Sequence, residues 1–156
     1  YVKLFVQNPF HLAFPVNNIE ETKLFYKKHF KCKIGREDVK WVDFDFFGHQ
    51  LSAHVKPDEL KNSKKNSVDG KEVPVRHFGV ILEWEQWHNL ADELQLNKIE
   101  FIIDPYIRFK GEVGEQATMF FLDPSGNALE FKSFKDPKQV LLSDGVILNN
   151  SQRLCL

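Results

Sequence analysis

The strongest constraint on this chain is an internal repeat: two stretches share one order of elements, a strand, a helix and then three strands. In the first, residues 10–16 read as a short buried strand ending near Pro15, a residue that tolerates only edge or terminal strand positions. Asn17 or Asn18 can cap the helix that follows, where Ile19, Thr22, Phe25, Tyr26 and Phe30 recur at helical spacing. Strands are expected at 32–37, 40–47 and 50–55. In the second of these, Val42, Phe44 and Phe46 alternate with Asp43 and Asp45, and Gly48-His49 fits a tight turn after it.

The second stretch repeats the plan. A strand is expected at 75–83 and a helix at 85–96, with Trp87, Leu90, Ala91 and Leu94 on one face. Strands at 100–104, 117–122 and 128–134 follow, the last two joined by the turn Asp123-Pro-Ser-Gly126. The match is also local, His11-Leu-Ala-Phe against His77-Phe-Gly-Val. One such unit cannot cover its own apolar face, so a repeat predicts a pseudo-twofold pair of modules with a cleft between or within their curved sheets. Between the modules, residues 57–73 are polar, charged and without periodicity, and read as an exposed loop. After Phe134 the pattern dissolves, and 139–156 reads as a tail.

Bulk properties narrow the partners. With 156 residues, 42% apolar, the chain is long enough to bury its own core. A formal net charge of −1 gives no electrostatic case for nucleic acid or an anionic membrane as partner. No run approaches the roughly 20 apolar residues of a membrane span, and the opening segment lacks the basic region and cleavage site of a signal peptide. Cys32 and Cys155 form no zinc-type pair and are too few for a disulfide scaffold, so a reducing cytoplasm is expected. Fifteen Phe against three Tyr supply core area with few hydroxyls to satisfy.

The chemistry-bearing residues sit on otherwise apolar strands. His11 lies on the first strand of the first module and His54 on its last; His77 and Glu130 stand in the same ordinal places in the second. Alternation turns Glu130 away from Leu129 and Phe131. A carboxylate there costs several kcal/mol if unpaired, by order of magnitude, and coordination of a metal removes most of that cost. Two imidazoles and a carboxylate with open positions suit a divalent transition metal, non-haem Fe(II) in particular. His29, His49 and His88 read as helix surface, turn and helix surface, and Asp43 and Asp45 as solvating a strand face.

These residues, with the stretches PFHLAFPV, WVDFDFFGHQLSAHV, VPVRHFGVILEW and PYIRFKGEVGEQATMFFLDPSGNALEFKSFKDP, resemble the vicinal oxygen chelate superfamily, which includes glyoxalase I, bleomycin-resistance proteins and extradiol dioxygenases. The likeness is greatest to short bacterial-type proteins regarded as extradiol dioxygenases. The resembling stretches span about 9–138, a domain with modules at about 9–56 and 74–134.

The resemblance implies an α+β fold in which two βαβββ modules form a curved mixed sheet around a metal-containing cleft. It implies His11, His77 and Glu130 as metal ligands. It also implies His54 as acid/base or fourth ligand, and one divalent ion, Fe(II) before Mn, Ni or Zn. A small vicinal diol or enediol is the implied substrate, and a homodimer with exchanged modules the implied assembly. Where many extradiol enzymes carry Tyr ten residues before the ligand Glu, this chain has Phe120. Phe120 is a candidate substrate contact, and Tyr106, Arg108 and Lys110 are candidates for an anionic substrate. Two other readings stay open: a glyoxalase- or epimerase-like lyase or isomerase, and a non-catalytic small-molecule binder.

Overall fold

The computed structural model describes residues 8–60 and 64–141. Cys155 and all of the tail beyond 141 therefore lie outside the described residues.

The first module runs β1 (His11–Val16), α1 (Ile19–Phe30), β2 (Lys33–Asp38), β3 (Trp41–Phe46) and β4 (His49–Val55). The Asn18 side chain accepts from the Glu21 amide at 3.0 Å, which satisfies one of the free N–H groups at the start of α1. Glu20 and Glu21 in the first turn, with Lys27 and Lys28 in the last, complement the helix dipole.

The second module runs β7 (His77–Phe78), α2 (Trp84–Leu96), β8 (Phe101–Arg108), β9 (Gln116–Leu122) and β10 (Ala128–Phe134). Between them, β5 (Lys65–Val68) and β6 (Lys71–Pro74) form a hairpin. Among the described residues no helix is long and apolar enough to cross a membrane.

The strands lie in two four-stranded sheets of one topology, β1-β4-β3-β2 and β7-β10-β9-β8, each with a parallel first pair and antiparallel remainder. Both sheets turn their apolar faces into one shared core. Leu12, Phe14, Phe44, Phe46 and Leu51 enter it from the first sheet, and Met119, Phe121, Leu129 and Phe131 from the second. The faces meet through Phe46 and Phe131, whose ring centroids are 6.0 Å apart, and Phe30 of α1 lies 5.3 Å from Phe131. The opposite, outer face carries Asp43 and Ser52 on the first sheet, and Glu130 beside Phe120 and Ile103 on the second.

Three expectations need correction. Segment 57–73, expected as a loop, contains a 3-10 turn at Pro57–Leu60 and most of the hairpin. Val73, 1% exposed, packs on Ile103 and Phe120 and so lays that hairpin over the outer face of the second sheet. Residues 75–83 do not form one strand: β7 is two residues long, and pairing resumes only at the isolated bridge Ile81–Lys132. Finally, β8 extends to Arg108, and Pro105 is tolerated because β8 is an edge strand.

Candidate metal centre

His77 begins β7, and Glu130 stands two residues beyond its register partner Ala128 on β10. Both face outward, since Phe78, Leu129 and Phe131 occupy the core side. His77 Nε2 lies 3.2 Å from Glu130 Oε2. The other ring nitrogen, Nδ1, is 3.0 Å from the Pro74 carbonyl. A carbonyl only accepts, so Nδ1 carries the proton and the lone pair of the neutral ring lies on Nε2, the atom facing the carboxylate. A metal ion shared by the two atoms would turn this lone-pair contact into an attractive one.

The carboxylate is held from its other oxygen. Thr118 Oγ1 donates to Glu130 Oε1 at 3.1 Å, and Lys132 Nζ lies 3.2 Å from the same atom. Oε2 is thereby left for His77 and any shared ion. The Phe120 ring stands edge-on to the imidazole at a centroid distance of 5.0 Å and is itself buried. The pair thus has a dry wall on one side, while the Glu130 side chain keeps 11% of its surface and that of His77 31%.

A divalent ion fits this pair. Bonds of about 2.1 Å from one ion to an imidazole nitrogen and a carboxylate oxygen place those two atoms about 3.0–3.4 Å apart in octahedral or tetrahedral geometry. The observed 3.2 Å falls in that interval. The Pro74 carbonyl on Nδ1 and the Thr118 hydroxyl on Oε1 are the outer contacts that orient such ligands.

The other two sequence-predicted residues lie elsewhere. His11 and His54 are exposed, on the outer face of the first sheet. Among the described residues no three His, Cys, Asp or Glu side chains come close enough together to hold an ion. The register also corrects the expected symmetry between modules. His11 pairs with Gln50 as His77 pairs with Ala128, so the position matching Glu130 is Ser52 and not His54. His54 stands four residues beyond Gln50, about 13 Å at a rise of 3.3 Å per residue.

The outer face of the first sheet has its own polar network. Asp43, expected to be solvated, is 5% exposed and accepts from Ser52, Gln50 and Arg36. His29, expected on the surface, is buried against Phe25, and that burial lowers its pKa.

Tyr106 and Arg108 lie on β8, on the same outer face as Glu130, and both engage Asp69 at the tip of the β5–β6 hairpin. Lys110 is exposed in the turn that follows β8. Thr118, Lys132, Pro74 and Asp69 escaped the sequence reading. Thr118 and Lys132 carried a usable signal, since alternation puts them on the outward face with Phe120 and Glu130; Pro74 acts through its backbone and carried none.

Comparison with known proteins agrees with the architecture. The family model described as the glyoxalase/bleomycin resistance protein/dioxygenase superfamily matches residues 9–131. The metallothiol transferase FosB of Lysinibacillus sphaericus (strain C3-41) is 25% identical over 126 residues, 81% of this chain and 82% of that protein. A crystal structure of a glyoxalase/bleomycin resistance protein/dioxygenase from Alicyclobacillus acidocaldarius is similar with TM-score 0.69 and 32% identity, over 86% of this chain and 96% of that one. The fosfomycin resistance protein FosX of Listeria monocytogenes shares the fold at TM-score 0.60 and 13% identity, over 83% of this chain and 94% of its own.

Proposed function

Because the chain belongs to the glyoxalase/bleomycin resistance protein/dioxygenase superfamily, we propose that it is a divalent-metal-dependent enzyme whose ion is held by His77, Glu130 and a His11 from a second copy. The reaction to test first is Fe(II)-dependent, extradiol-type oxygenation of a small vicinal diol or enediol. The observation that carries this reading is the 3.2 Å approach of Nε2 to Oε2, with Nδ1 and Oε1 each committed to another partner.

The third ligand comes from outside the chain on this reading. His11 sits on the outer face of a different sheet from Glu130, and among the described residues nothing completes a triad. A homodimer that lays the first sheet of one copy over the second sheet of the other supplies an imidazole. It also brings in the network of Asp43, Ser52, Gln50 and Arg36 as the opposite wall.

When bound, the ion supplies Lewis acidity, a template for two substrate oxygens and, as Fe(II), access to dioxygen chemistry. The protein's part is positional. The Pro74 carbonyl keeps the His77 proton on Nδ1, Thr118 and Lys132 keep Glu130 turned, and Phe120 excludes water from one side. Lys132, with its ammonium on Glu130, is a group of this chain that can pass a proton to a leaving or developing oxyanion. His54 stands about 13 Å along the strand from the row of His11, beyond the hydrogen-bond reach of a general acid or base, so this reading gives it no proton-transfer role.

A second reading is favoured by Phe120, which sets a phenyl ring and not a phenol edge-on to His77. The relative named as a metallothiol transferase makes the same point from another side. In this reading the metal serves redox-neutral addition, transfer or isomerisation. Oxygen consumption with catechols by Fe(II)-loaded protein separates the two: stoichiometric uptake supports oxygenation, whereas turnover without uptake replaces it with the redox-neutral reaction. Mixing His11→Ala with His77→Ala tests the shared site. Each alone is expected to be inactive, and recovery of up to about a quarter of wild-type activity is expected from hybrid dimers; no recovery contradicts a site built from two copies.

A further inference from the structure

Asp69 occupies the Asp-Gly turn of the β5–β6 hairpin in a left-handed conformation that Asp accommodates, φ 49°. Its carboxylate reaches across to β8. Oδ2 lies 3.1 Å from Arg108 Nε, Oδ1 accepts from the terminal nitrogen of Arg108 at 3.1 Å, and the Tyr106 hydroxyl donates to Oδ2. This is the two-pronged geometry by which a guanidinium grips a planar carboxylate, closed on one side by a phenol. Burial, and next the Asp69 carboxylate, raise the pKa of Tyr106, so the phenol keeps its proton and remains a donor. Lys110, exposed just beyond β8, adds positive charge at the same end.

The fork shares its sheet face with the metal pair. Tyr106 is the register partner of Thr118, which itself holds Glu130. Two strand spacings separate β8 from β10, about 10 Å. The hairpin is anchored at its root, where Val73 is buried on Ile103 and Phe120, whereas its tip is held by the half-exposed contact of Asp69. An ion pair of that exposure is readily exchanged for another.

We propose that Tyr106 and Arg108 form a carboxylate-binding subsite of the metal centre, that Asp69 fills it in the free protein, and that the carboxylate of the substrate takes its place. The substrate class is then a small oxygenated carboxylic acid, with metal-binding oxygens toward β10 and the carboxylate toward β8. The inference rests on the reading of His77 and Glu130 as the metal centre for calling this a subsite, but the anion site itself is tested without metal.

The probe is succinate, its binding to the full-length protein followed by titration calorimetry in every variant and, where Arg108 is present, also through the Arg108 Nε–H resonance, assigned by its absence in Arg108→Lys. Wild type is expected to bind weakly. Asp69→Ala and the shape-conserving Asp69→Asn are expected to bind about fivefold more tightly, the internal competitor being gone. Arg108→Ala in the Asp69→Ala background is expected to abolish binding with the melting temperature retained. Wild-type affinity in both Asp69 variants, or binding that survives loss of Arg108, overturns the proposal. The same titration in His77→Ala separates the two readings. Binding that persists there supports the carboxylate site whatever the fate of the metal centre, and binding lost with His77 overturns it.

Discussion

Gly79 lies so close to Glu130 that a Cβ on it would stand 1.7 Å from the Glu130 carbonyl oxygen. The close approach carries the chain past β10 directly beside the candidate ligand, and it coincides with the break in pairing between β7 and the Ile81 bridge. A methyl group there forces β10 aside and takes Glu130 with it. Gly79→Ala is therefore expected to cost about 1–3 kcal/mol of stability in urea unfolding, as for other overpacked sites, and to weaken metal binding. Unchanged values for both show that the strand yields without moving Glu130.

Thr118 is nearly buried, and its hydroxyl turns Glu130. Thr118→Val keeps the branched shape and removes the donor. Metal affinity is expected to fall about 10- to 100-fold, the usual range for losing a contact that orients a ligand, with far-ultraviolet circular dichroism unchanged. Wild-type affinity in this variant removes Thr118 from the site.

Much of this was legible in the residues. The repeat of strand, helix and three strands follows from alternation and helical spacing, and Glu130 betrays itself as a charge between Leu129 and Phe131. The pairing of His77 with Glu130 was not legible as geometry, because it depends on strand register, which pattern alone leaves open. That is also why His54 was matched to Glu130 although Ser52 holds the equivalent position. The β5–β6 hairpin was missed for a different reason. Its strands face solvent on one side and so lack an apolar run, although Asp69-Gly70 between Val68 and Val73 carries the turn signal. Asp43 and His29 are buried by tertiary neighbours that local sequence does not reveal.

The modules are tied by a buried polar contact. Tyr26 of α1 is fully buried and donates to Asp123 Oδ2 at 3.2 Å; Asp123 also accepts from the Ser125 and Asn127 amides, and burial raises its pKa. Tyr26→Phe leaves that carboxylate short of one donor and is expected to cost about 1–3 kcal/mol in urea unfolding. No loss of stability means that the remaining donors suffice.

Alkaline pH probes the first module. Burial pushes the Cys32 thiol from 9.0 up to about 12. Above pH 9 the thiol of the unfolded chain ionises while that of the folded chain does not, so the unfolded state gains and stability falls as pH rises through the interval up to about 12. The melting temperature of wild type is expected to drop more steeply between pH 9 and 11 than that of Cys32→Ala. Parallel curves place the alkaline loss on other groups, Tyr26 first, whose phenol burial also raises.

The most direct test of the metal centre is an equilibrium titration of the purified full-length protein with Fe(II), Mn(II) and Zn(II), beside Glu130→Gln. The account predicts one ion per chain in wild type and at least about a 100-fold weaker site in the variant, with unchanged circular dichroism. Equal affinity in the two proteins contradicts it.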